Sequence, residues 1–74
     1  MSYTVHVFAR AGRRAPLEDL GIMSVTPKPA RSVLVHFFYK GRRAGGVVVL
    51  IDPHNWVKHP DVIPTIHVHM AEGK

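Results

Sequence analysis

Cysteine is absent from this sequence, which excludes a disulfide framework and a thiolate zinc site, the usual staples of a domain this small. A reducing, cytoplasmic setting is the expectation that follows. Acidic side chains are scarce, with five Asp and Glu against ten Lys and Arg in 74 residues and a net charge of +5. Long apolar runs are missing as well. The longest, residues 45–51, falls far short of the roughly 18–20 residues that a membrane-spanning helix needs. The first residues lack the charged, apolar and small-residue zones of a signal peptide, so a soluble protein with no membrane partner is expected. No Gly-Lys-Ser/Thr phosphate loop occurs, and no Ser-His-Asp, Cys-His or paired-carboxylate spacing can be read. The chain is therefore read as non-enzymatic and without a cofactor.

What is present points to strands. Residues 1–74 are read as one domain, near the lower size limit for independent folding, where net stability is small. Hydrophobic residues make up 46% of the chain, more than so small a body covers easily, and self-association into a homo-oligomer is one remedy. Strict alternation over residues 3–10 marks a first strand. Residues 16–20, opening on Pro16 and stopped by Gly21, suggest one short helical turn. The β-branched and aromatic runs at 32–40 and 46–51, separated by Gly41-Arg42-Arg43-Ala44-Gly45, read as a β-hairpin with a basic tip. Three X-Pro pairs make residues 52–64 a long connection, pinned by Trp56 and Val62, before a last strand at 65–71. The expected fold class is mainly β, a β-rich α+β arrangement. It has a small, mostly antiparallel sheet of about four strands, one helical turn and a Pro-rich connection.

Three of these strands echo one another. Val5-His6-Val7-Phe8, Val35-His36-Phe37-Phe38 and Ile66-His67-Val68-His69 each run on toward a glycine and a positive charge, as in Gly12-Arg13-Arg14 and Gly41-Arg42-Arg43. Because side chains alternate along a strand, one face collects Val5, Val7, Val33, Val35, Phe37, Ile66, Val68 and Met70, the expected core. The other collects Thr4, His6, Phe8, Arg10, Leu34, His36, Phe38, Lys40, Thr65, His67 and His69.

Charge is distributed unevenly. Residues 1–45 hold eight of the ten basic side chains (Arg10, Arg13, Arg14, Lys28, Arg31, Lys40, Arg42 and Arg43) against Glu18 and Asp19. Arginines beside glycines suit phosphate oxygens, because the guanidinium fork is bidentate and the backbone can approach closely. Aromatic rings between positive charges suit single strands, whose bases stack while their phosphates meet cations. RNA or single-stranded DNA is therefore the expected partner. Arg10, Arg13, Arg14, Lys40, Arg42 and Arg43 would meet phosphates, and Phe8, Phe38 and His36 would offer stacking surface. An acidic protein surface is the alternative, reached by a small accessory or inhibitor module docking through an apolar face. A metal site is a further alternative, since His67 and His69 project from one strand face about 7 Å apart and His36, His6 or Glu72 could join them. A ribonuclease would need His36 or His67 as base and Arg42 as phosphate clamp.

Overall fold

The structure, a computed structural model, describes residues 2–12 and 14–70. The alternating stretch forms β1 (Tyr3–Arg10), burying Val5, Val7 and Ala9 and turning Thr4 and Arg10 outward. β2 (Glu18–Val25) returns antiparallel to it. β3 (Leu34–Tyr39) and β4 (Arg42–Asp52) form the hairpin. A single 3-10 turn, Trp56–Lys58, interrupts the proline-rich connection before β5 (Thr65–Met70). The Thr26-Pro27 and Asp52-Pro53 peptides are cis.

The five strands make one mixed sheet in the order β2-β1-β5-β4-β3, with β1 and β5 parallel and the other neighbours antiparallel. The sheet curls until its edges meet at one point, where Thr26 and His36 exchange both backbone hydrogen bonds at 3.1 and 2.7 Å. Followed through β5 and β4, Arg10 lies level with Leu34; followed through β2, the start of β1 lies level with His36. The difference is a stagger of about ten residues around the barrel, so the strands tilt steeply and β3 and β4 project beyond their neighbours. Val25, Val35, Phe37, Val48, Ile66 and Val68 join the β1 residues in the core, with no buried polar or charged side chain among the described residues.

The sheet departs from the sequence expectation in three respects. It has five strands, not four, and is mixed because a five-strand meander that closes brings its first and last strands together in the same direction. Glu18, Asp19 and Leu20, expected in a helical turn over residues 16–20, belong to β2. A bulge explains the error. Val7 faces Gly21 and Phe8 faces Asp19, so Leu20 is the extra residue, and Gly21 adopts φ +90°, where an L side chain is strained. Finally, Arg42 and Arg43 stand in β4 and not in a five-residue loop. The turn is Lys40-Gly41 alone, with φ of +53° and +74° as a type I′ hairpin turn requires. The expected core residues Val5, Val7, Val35, Phe37, Ile66 and Val68 are buried, and Val33 and Met70 are partly so.

Candidate nucleic-acid interface

The β3–β4 hairpin carries the densest positive charge. Phe38 faces Arg43 and Tyr39 faces Arg42 across the ladder, so cation and ring sit side by side on both faces of the ribbon. Phe37 goes into the core, and the period of two therefore forces Phe38 out, where it is 68% exposed. Lys40 lies with its Nζ 5.1 Å from the centre of the Tyr39 ring, a cation–π arrangement that holds the ammonium at the turn. His36 lies against its partner Gly45, where an added Cβ would come within 3.3 Å of the imidazole Nδ1. Glycine there lets the imidazole lie down on the opposite strand.

Beyond the Thr26–His36 bridge the seam opens. No ladder pairs follow it between β2 and β3 among the described residues, and a cleft of about 450 Å³ forms between Ser24, Thr26, His36, Phe38 and Arg43. Strand parity decides what faces into this gap. Thr26 and His36 direct their N–H and C=O groups at each other, so Ser24 and Phe38, two residues away on each strand, present theirs to the same opening.

The other predicted aromatic is placed differently. Phe8 is half-buried on the outer face of β1, stacked on His6 at 4.7 Å between ring centres and tilted against His67 at 5.4 Å. His6 Nε2 donates to Asp19 Oδ1 at 2.6 Å, and the Gly21 N–H donates to the same oxygen at 2.8 Å. The hydrogen bond from His6 is the larger cause, ahead of that from Gly21, holding the Asp19 carboxyl below its ordinary value. Asp19 is thereby turned toward β1. The pair was hidden in the sequence because thirteen positions separate its members, and only the β1–β2 register brings them together.

Arg10 and Arg14 are exposed, and Arg13 lies outside the described residues. The β1–β2 and β3–β4 turns fall at the same end of the barrel, since β1 and β3 run in the same direction. Among the described residues the one ion pair is His6–Asp19, so Arg10, Arg14, Lys40, Arg42 and Arg43 hold no carboxylate. One readable signal marks this region beyond the arginines: between Asp19 and Asp52 the chain contains no acidic residue.

Among the described residues the metal-site alternative finds no third ligand, and Glu72 lies outside them. His36 stands on β3 while His67 and His69 stand on β5, with β4 between them, and no three His, Asp or Glu side chains converge among the described residues. The ribonuclease grouping is not brought together either: His67 faces Leu50, eight positions along β4 from Arg42, and His36 faces Gly45 while Arg42 faces Tyr39. Trp56 does pin the long connection, meeting Tyr3 edge-on at 6.1 Å with Lys28 Nζ 6.0 Å from its ring, whereas Val62 is exposed. No described helix is long and apolar enough to cross a membrane. Comparison with known protein families, characterised proteins and solved structures finds no match for this chain.

Proposed function

We propose that this is a non-enzymatic binding protein for single-stranded nucleic acid, RNA or DNA, that works through the β3–β4 hairpin in a cytoplasmic setting. The observation that carries the reading is Phe38, exposed beside Arg43 on a ribbon whose cations meet no carboxylate among the described residues. Leaving a phenylalanine in water costs apolar hydration, and cations without partners add self-repulsion. A strand of bases and phosphates offsets both. Arg42, Arg43 and Lys40 take phosphates, Phe38 takes a base, His36 extends the surface, and Arg10 and Arg14 at the same end add longer-range attraction. Phe8 is set aside from direct stacking, because His6 and His67 already occupy its surroundings.

The test is a fluorescence-anisotropy titration of labelled single-stranded RNA and DNA at two salt concentrations, with wild type and Arg42→Ala/Arg43→Ala. Binding should weaken with salt, and the double variant should flatten the log–log slope by about two units. Binding indifferent to salt would sink the proposal. A second reading, docking on an acidic protein surface, draws on Leu34, Val47, Val49 and Leu50, which are all at least 39% exposed. It gains ground if no nucleic acid binds at low salt and a partner captured on this face is released by charge substitution at Val47.

A further inference from the structure

Resting on the nucleic-acid reading, we infer that the open seam between β2 and β3 is a pocket for a single nucleobase, read at its edge by the backbone of Ser24 and Phe38. The hairpin cations alone would accept any polyanion, since phosphate contacts carry no base information. The seam supplies what they lack. Its mouth holds the exposed Phe38 ring for stacking, and its walls carry the Ser24 and Thr26 hydroxyls. Facing edges present the N–H donors and C=O acceptors of Ser24 and Phe38, left without ladder partners where the strands part.

A base edge offers the same alternation of donors and acceptors that a strand edge does, and the cleft is within the size range of small-ligand sites. Arg43, directly across the ladder from Phe38, is placed to hold the phosphate of the nucleotide whose base enters. The occupant is a base swung out of its stack, which a single strand can provide and a duplex resists. Single strands are thus preferred over duplex of equal charge.

The test compares a short single-stranded RNA of mixed sequence with inorganic polyphosphate of matched charge, both at low salt, as competitors for one labelled RNA. Wild type should bind the RNA about tenfold or more tightly than the polyphosphate, the worth of one base stack. Phe38→Ala should erase that surplus without weakening polyphosphate. Ser24→Pro, which deletes an N–H on the open edge and none in the β1–β2 ladder, should reduce it. Equal affinity for RNA and polyphosphate in wild type would overturn the base pocket, and with it stacking on Phe38, while leaving intact the phosphate contacts of the hairpin cations. If neither ligand binds at low salt, the pocket and the hairpin reading fall together.

Discussion

Two strands of this protein carry nearly the same four residues and put them to different use. In β1, Val5-His6-Val7-Phe8 buries its valines and covers its outward pair: His6 stacks on Phe8 and donates to Asp19, while His67 of β5 tilts against the phenyl ring. In β3, Val35-His36-Phe37-Phe38 buries Val35 and Phe37 in the same way. Its outward pair meets only Gly45 and Arg43 across the ladder. The difference comes from position in the sheet. β1 lies between β2 and β5 and is paired on both sides from His6 to Ala9, the stretch that holds His6 and Phe8, whereas β3 is an edge strand that touches β2 at one bridge. Local pattern thus chooses which side chains face outward, and the neighbouring strands choose whether they stay in water.

The contrast is broken most severely by removing an inward ring in place of an outward one. Phe37→Ala should cost about 3–5 kcal/mol, enough to unfold most of a domain this small in water. Phe38→Ala should change stability by no more than about 0.5 kcal/mol. Urea unfolding of the two variants, followed by circular dichroism, checks both values. A smaller but more telling comparison sets Phe8→Ala against Phe38→Ala, since both rings face outward. Phe8→Ala should cost about 1–2 kcal/mol, because two imidazoles lose the ring they pack on. Equal losses at positions 8 and 38 would mean that the cover over Phe8 contributes nothing to stability. Next in size is Gly21→Ala, which forces an L residue to φ +90° at the bulge that aims Asp19 toward His6. About 1 kcal/mol of stability should be lost.

How far these outcomes could have been anticipated from the chain differs between elements. The alternation of β1, β3 and β5 was plain, and with it the inward set and the outward position of Phe38. β2 was not, because the bulge at Leu20 shifts the period within the strand, while Pro16 and Gly21 imitate the ends of a helix. The first residues of β4, Arg42 to Gly45, have low strand propensity and look like loop until Phe37, Phe38 and Tyr39 are seen to pair with them. Closure of the sheet and the opening beside it depend on Thr26 meeting His36. That contact joins strands through a proline-rich link whose path no period describes. The basic tip of the site was therefore legible, while the cleft beside it and the cover on Phe8 were not.

The smallest expected effect tests the electrostatic part of the contrast. Asp19 is held below its ordinary value of 3.8 by hydrogen bonds from His6 and Gly21. A carboxyl whose folded value is lowered contributes stability that is present above the unfolded value and lost as pH falls through the folded one. Wild-type stability should therefore decline more steeply, as pH drops below about 3.8, than that of Asp19→Asn, whose amide cannot titrate. Unfolding midpoints measured from pH 5 down to pH 2 should show the wild-type curve as the steeper of the two. Both partners reach solvent, with 31% of the His6 side chain and 56% of the Asp19 side chain exposed, so added salt should narrow the gap. Nucleic-acid affinity at neutral pH should be the same in the two proteins, because Asp19 is turned toward β1 and away from the hairpin. If Asp19→Asn bound more tightly, its charge would be reaching the hairpin after all, and the two strands would be electrostatically coupled. Parallel pH curves with unchanged affinity would instead place the difference between β1 and β3 in packing alone.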